Sequence, residues 1–380
     1  MRDAVIVGAV RTPIGRRNGA YANVHPIDLS AYVLQGLVNK TGIDPAVIDD
    51  VIWGCVQQVG GQSLNPARLA ALAAGFPETV PGTSVDRQCG SSQQSVHFAA
   101  AAVVSGQCDV VVAGGVESMT MVPMGASMAD PAYGAPYGPL FSQRYPDEPN
   151  QGVGAEMVAE KWGFSRSQLD EYAVQSHERT AAAIDAGAFT EQYVEIPGTG
   201  LTVDQGLRRG TSLDVLAGLK PAFKSDGVIH AGNSSQISDG SGALLITTSE
   251  KAAELGLKPL VRLHTFAVAG SDPVIMLTGP IPATAKALAR SGLSINEIGA
   301  FEINEAFAPV PLAWQVETGA DPKNLNPLGG AIAVGHPLGG SGAILMTRLV
   351  HNMVDNGIQY GLQSMCEGGG MANATILELL

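Results

Sequence analysis

Short apolar runs that stop at glycine or a polar residue recur along the chain: AVIVGA over 4–9, DVIWGC over 50–55, DVVVAGG over 109–115 and GAFEIN over 299–304. Runs that are apolar at nearly every position predict strands buried on both faces. Between them lie stretches where small and apolar residues recur and Gly or Pro marks the ends: one after Asp28, one from Asn65 to Phe76, and PATAKALARSG from Pro282. These predict helices, and the alternation of the two signals predicts an α/β protein.

The pattern repeats weakly. In the first half, a strand ending at Gly54-Cys55 precedes a turn carrying Cys89, a helix, and a strand ending at Gly114-Gly115. In the second, a strand ending at Asn304 precedes a turn carrying His336, a helix, and a strand ending before Gly368-Gly369-Gly370. Duplicated halves would bring both turns to one seam; coincidental likeness between buried α/β units is the alternative. Residues 118–236 differ in texture, rich in Met, Pro, Gly and Tyr up to Asn150, then helical through SRSQLDEYAVQSHERTAAAIDAG. They are expected to form an insertion over the core, of the kind that builds lids and binding loops.

With 380 residues, 45% apolar and 15% charged, the chain can fill two or more packed units. No run approaches the ~20 apolar residues of a membrane span, and the N-terminus lacks a secretory signal, so a cytoplasmic protein without a membrane partner is expected. A formal charge of −13 argues against a nucleic-acid surface. The short basic pairs Arg16-Arg17 and Arg208-Arg209 suit one small anionic ligand. The four cysteines (Cys55, Cys89, Cys108 and Cys366) include no C-x-x-C pair, which speaks against a zinc knuckle or a dithiol redox site and for free thiols. No metal is expected.

Cys89, in DRQCGSS, sits where a strand-like segment gives way to a small-residue helix. A thiol facing a helix N-terminus is expected to lose its proton more easily than a free one; a packed structural cysteine is the alternative. His336, in GHPLGGSGA, follows a second glycine-rich turn and is suited to take a thiol proton at neutral pH, unless it is merely exposed. Cys366 precedes three glycines whose amides, with that of Cys89, suit an oxyanion hole; it is either an acid/base or a packed strand-end residue. Asn304, in NEAFA, either holds a water toward a developing oxyanion or caps a helix. Cys55 and Cys108 read as core, His97 as packed, and Glu117 and Glu305 as capping or solvated.

Cys89 in DRQCGSS, Asn304 in NEAFA, His336 in GHPLGGSGA and Cys366 in CEGGG, together with GNSSQISDGSGALL over 232–245, resemble the thiolase family in order and spacing over essentially the whole chain. The resemblance implies two similar α/β halves in a five-layer αβαβα core, with residues 1–117 plus 237–258 as the N-terminal half, 118–236 as a loop domain covering coenzyme A, and 259–380 as the C-terminal half. It implies an acyl-CoA C-acyltransferase that cleaves 3-ketoacyl-CoA with CoA to acetyl-CoA and a shortened acyl-CoA, as in fatty-acid β-oxidation, or runs the reverse condensation. His336 would activate Cys89, Cys366 would protonate the departing enolate, Asn304 and His336 would serve one oxyanion site, and the Cys89 and Gly368 amides the other. Arg208, Phe223 and Ser235 resemble coenzyme contacts. Coenzyme A would be a substrate, with no tightly bound cofactor, and the assembly a homodimer or homotetramer.

The segment PNQGVGAEM over 149–157 lacks the His-Met-Gly pattern of acetoacetyl-specific relatives and resembles degradative thiolases for longer or bulkier acyl groups. Ala372 and Asn373 also depart from the biosynthetic pattern. A decarboxylating ketoacyl synthase of the same superfamily and an idle CoA- or lipid-binding scaffold are the competing readings. Cys366 and the single candidate histidine oppose the first, and the full catalytic set opposes the second.

Overall fold

Consecutive residues of the first apolar run point to opposite sides. Val5, Val7 and Val10 enter one core cluster, and Ala4, Ile6 and Ala9 another. The same division separates Val110 and Val112 from Val111 and Ala113, and Leu245 from Leu244 and Ile246. This two-residue period, shifted by one at an irregularity in the first strand between Ile6 and Gly8, explains why the runs are apolar throughout: each strand has a hydrophobic layer on both sides.

The computed structural model describes residues 2–380. Its strands are β1 (Val5–Arg11), β2 (Gly15–Arg16), β3 (Asp50–Gly54), β4 (Gly82–Val85), β5 (Val110–Ser118), β6 (Ser238–Thr247), β7 (Val261–Gly270), β8 (Ala300–Ile303), β9 (Tyr360–Glu367) and β10 (Met371–Leu379). They run in the order β4-β3-β5-β6-β1-β7-β10-β9-β8, with β2 beside β6. The β1–β7 junction is held by the pairs Val5–Arg262 and Ile6–Val261, so the sheet is two half-sheets joined at a narrow neck. β3-β5-β6-β1 and β8-β9-β10-β7 share one order and one pattern of directions, parallel for the first pair and antiparallel for the next two. A parallel bridge from Phe301 to Leu325 stands outside β8 where β4 stands outside β3. The two halves are therefore built alike.

Helices Ser91–Ser105 and Ser341–Asn356 pack together between the half-sheets, and helices Pro26–Thr41 and Pro280–Ser291 cover the outer faces. This gives five layers, αβαβα, with one hydrophobic cluster between each outer helix layer and its half-sheet and a third around the two central helices. Helix starts differ slightly from the sequence expectation. The first begins at Pro26, before Asp28, with His25 Nδ1 accepting from the Ile27 amide; the one foreseen from Pro282 begins at Pro280. Proline is favoured in a first turn, where its missing N–H has no partner to lose. The stretch expected from Asn65 to Phe76 forms helix Pro66–Ala73, with Asn65 as its cap.

The excursion from 119 to 237 carries no strand of the sheet among the described residues. Its long helix Arg166–Asp185 opens with a Ser165–Gln168 capping box. Arg11 of β1 ties it down through a fully buried ion pair with Asp204, at 2.8 and 3.0 Å.

Candidate active site

β4 leads into a tight turn that presents Cys89. Asp86 Oδ1 accepts from the Gln88 amide at 2.7 Å, Gln88 adopts φ +49°, and Ser91 Oγ accepts from the Arg87 amide and donates to Gln88 O. A non-glycine residue in the left-handed region is uncommon; here local hydrogen bonds hold it, so the direction of the Cys89 side chain is set before the helix begins. Cys89 is buried. Burial, reinforced by the nearby Glu367, pushes its thiol up to about 12, although the Cys89 and Gly368 amides donate toward the sulfur and oppose the rise. Burial therefore reverses the expected acidification. A helix end contributes about 2 kcal/mol at most, roughly one and a half pKa units, less than burial removes.

His336 follows helix Ala331–Val334 and Gly335, whose φ of +110° turns the chain. A side chain at Gly335 would also meet Ser238 Oγ at 2.7 Å. The imidazole is buried rather than exposed, and burial holds it down at about 4, so it rests neutral. Its Nδ1 lies 2.6 Å from Ser341 Oγ, whose own proton goes to Pro337 O at 2.8 Å. Nδ1 therefore carries the ring hydrogen, which leaves the Nε2 lone pair free to accept. Asn304 Nδ2 approaches Nε2 at 3.4 Å.

Asn304 stands just past β8, its amide bonded to Ser364 O at 3.1 Å and its buried Oδ1 without a partner. Cys366, at the end of β9, is buried, and burial followed by the charge of Cys89 lifts its thiol well above the usual range. Gly369 and Gly370 have φ of +81° and +73°; this reversal lets the Gly368 amide point back at Cys89. Cys89, His336, Cys366 and Gly368 line one cavity of about 210 Å³, with Phe223 and Ser235 also in its wall. Asn304 reaches it through His336.

The thiolase N-terminal domain model matches residues 4–250 and the thiolase C-terminal domain model residues 257–379. This chain belongs to the thiolase family. It is 49% identical to the steroid 3-ketoacyl-CoA thiolase of Mycobacterium tuberculosis, covering 100% of this chain and 95% of that protein. It is 40% identical to the 3-ketoacyl-CoA thiolase of Bacillus subtilis, covering both chains fully. The crystal structure of the Bacillus anthracis acetyl-CoA acetyltransferase superposes with a TM-score of 0.91 at 38% identity, over 100% of this chain and 99% of that one.

In this thiolase a second cavity of about 450 Å³ adjoins the first, sharing Ser235, Gln236 and Ile237 with it and lined further by Arg16, Arg17 and Arg208. The basic pair at 208–209 splits: Arg208 faces this cavity, whereas Arg209 pairs with Asp185 at the surface, at 2.6 Å. Sequence reasoning missed the apolar wall of the inner cavity, formed by Met119, Met124, Leu277, Phe307 and Leu338. Phe307 and Leu338 stand within NEAFA and GHPLGGSGA, but the five come from separate stretches of the chain that no spacing joins. Gln151, in the segment that lacks the His-Met-Gly pattern, opens helix Gln151–Trp162 and also lines the cavity.

Glu117 and Glu305 are fully buried, contrary to the capping or solvated reading. Glu117 accepts from the Val56, Gln57 and Gly339 amides and from Gln62 Nε2. Glu305 accepts from Tyr172, Ser176, Asn326 and the Ile332 amide. Each carboxylate gathers donors from several loops and so fixes the turns that carry the site. Cys55 is buried but Cys108 only half-buried, a correction to its reading as core. Among the described residues no three His, Cys, Asp or Glu side chains converge to hold a metal, and no helix is long and apolar enough to cross a membrane.

Proposed function

We propose that this thiolase cleaves 3-ketoacyl-CoA with free CoA through an acyl-Cys89 intermediate, and in reverse condenses two thioesters. The observation that carries this is a single cavity holding both thiols, a neutral imidazole and two amides that converge on one sulfur. Cys89 passes its proton to His336 Nε2 and attacks the 3-keto carbon, whose oxygen becomes anionic beside donors. The C2–C3 bond breaks, its electrons form the thioester enolate, and the Cys366 thiol protonates C2 to release acetyl-CoA. CoA thiol returns a proton to Cys366, its thiolate takes the acyl group from Cys89, and His336 returns the first proton. Protons balance within the site, and the scheme requires ping-pong kinetics.

The water-ordering role of Asn304 at the oxyanion is supported by its buried, unpartnered Oδ1 and by its Nδ2 lying 3.4 Å from His336 Nε2. The coenzyme reading is supported by the adjoining cavity: three arginines suit its phosphates, and Ser235 and Phe223 line the way to Cys89. The apolar wall of Met119, Met124, Leu277, Phe307 and Leu338 suits a hydrocarbon acyl group, and methionine adapts to irregular shapes. A homo-oligomer is supported by β4 at an open sheet edge and by exposed Met124, Met128, Tyr133 and Leu140.

Mass spectrometry after mixing with acetyl-CoA tests the nucleophile. Wild type gains one acetyl group on Cys89, and Cys89→Ala gains none; a full adduct in that variant would overturn the assignment. Cys366→Ala should still acylate but lose deuterium exchange at the acetyl α-carbon, and undiminished exchange would remove Cys366 from the scheme.

A further inference from the structure

The one carboxyl group in the wall of the catalytic cavity has no place in the reaction above. Glu367, at the end of β9, is fully buried, and neither of its oxygens has a hydrogen-bond partner. Asn373 of β10, also fully buried, leaves its Oδ1 unpartnered while its Nδ2 donates to Gly90 O at 3.0 Å. Both side chains press on the same point. A side-chain carbon built on Gly90 would collide with Glu367 Oε1 and lie 2.8 Å from Asn373 Nδ2. Three acceptor atoms therefore lie orphaned directly behind the nucleophile's turn, and a carboxylate has no donor to offer. Each buried orphan carries a desolvation penalty, and adding one proton lets two of the three atoms pair as donor and acceptor.

We propose that Glu367 is a positioning residue: as a neutral acid it donates its carboxyl proton to Asn373 Oδ1, and the pair, tied to Gly90 O, clamps the turn that aims Cys89. The surroundings agree. Burial lifts the Glu367 carboxyl to about 8, against the pull of Arg87 and of the Asn373 amide, which points toward it without reaching hydrogen-bond geometry. Arg87 is the cation facing it from the turn, and it forms no ion pair with Glu367 among the described residues; its Nη1 contacts Met371 Sδ instead. The other titratable groups facing it are the Cys89 and Cys366 thiols, and a charge on Glu367 opposes ionisation of both. Holding the carboxyl neutral thus aims the nucleophile and spares both sulfurs a neighbouring anion.

The inference rests on Cys89 being the nucleophile, so the test has one arm that needs no substrate. In the infrared difference spectrum of wild type minus Glu367→Gln at neutral pH, the carbonyl band of a protonated carboxylic acid should appear, and it should vanish at alkaline pH. Absence of that band at neutral pH overturns the proposal, whatever the reaction proves to be. In the second arm, acylation by acetyl-CoA is followed across pH. Wild type should lose rate as Glu367 ionises. Glu367→Gln, which keeps a donor, should acylate close to the wild-type rate at neutral pH without that alkaline loss. Glu367→Ala, which leaves the turn loose, should fall about tenfold or more. A Gln variant as slow as the Ala variant, or one with the wild-type alkaline limb, also overturns it. Failure of wild type to acylate would sink the reading of the reaction and leave the infrared result to decide the clamp.

Discussion

At the scale of single residues, the resting site is a neutral thiol facing a neutral imidazole. Cys89 is pushed up to about 12 and His336 down to about 4, both by burial first, so no thiolate–imidazolium pair forms before substrate arrives. Alkylation of Cys89 by iodoacetamide, which reads the thiolate, should therefore keep climbing through the alkaline range; a plateau near neutrality would show a preformed ion pair. His336 in turn depends on Ser341, which the motif contains but sequence reasoning passed over. Ser341→Ala removes the acceptor that fixes the Nδ1–H tautomer and should lower kcat about tenfold to a hundredfold with KM little changed, judging from other hydrogen bonds that orient histidines. Ser341→Thr should recover much of the loss, and equal kcat in the Ala variant would dismiss the role. Cys89, His336 and Cys366 were legible because each stands in a glycine-rich setting that leaves room for substrate. The sign of the Cys89 shift was not, because it depends on burial contributed by residues far along the chain. The duties of Glu117 and Glu305 were hidden for the same reason, since their donors come from loops that no spacing connects.

Among the elements, the strands were legible because burial on both faces leaves an uninterrupted apolar run, whereas helix starts slipped by two or three residues where proline extends the first turn backward. What sequence did not show is how closely the strand ends meet the two central helices. An added carbon at Gly54 would strike the Ser92 amide, and one at Gly115 would strike Gly339 O and lie 2.7 Å from Ser92 Cβ. These glycines permit the Cys89 and His336 turns to converge. Gly115→Ala should therefore cost about 1–3 kcal/mol by overpacking and also lower kcat, because Gly339 belongs to the turn that follows His336. Gly138→Ala, with nothing near its added carbon and φ of −78°, should stay within about 0.5 kcal/mol of wild type. Denaturant midpoints and turnover measured on both variants check this, and equal behaviour of the two would refute the close-packing argument.

For the molecule as a whole, the question is what holds the long excursion against the sheet so that Arg208 reaches the cavity that Arg16 and Arg17 line. Its position rests on Arg11 and Asp204. Arg11 lies over the Tyr193 and Phe189 rings, at 4.6 and 5.1 Å, and Asp204 also accepts from the Ile14 amide and from Tyr193 Oη. Burial alone would raise the Asp204 carboxyl, but Arg11 outweighs it and holds the group below the ordinary carboxylate value. A depressed folded-state pKa means that this stabilisation is complete above the unfolded carboxylate pKa and drains away as pH falls through the folded one. Asp204→Asn leaves a buried guanidinium uncompensated and should cost about 3–5 kcal/mol at neutral pH. It should also raise KM for CoA more than it lowers kcat, because the segment from 204 to 208 carries Gln205 and Arg208 into the outer cavity. Denaturant midpoints across acid pH separate this pair from a mere packing defect. The wild-type advantage over Asp204→Asn should shrink as pH falls below the carboxylate range, since protonating Asp204 leaves the same unpaired Arg11 that the asparagine does. An advantage that persists unchanged into strong acid would assign the stability to shape rather than to charge.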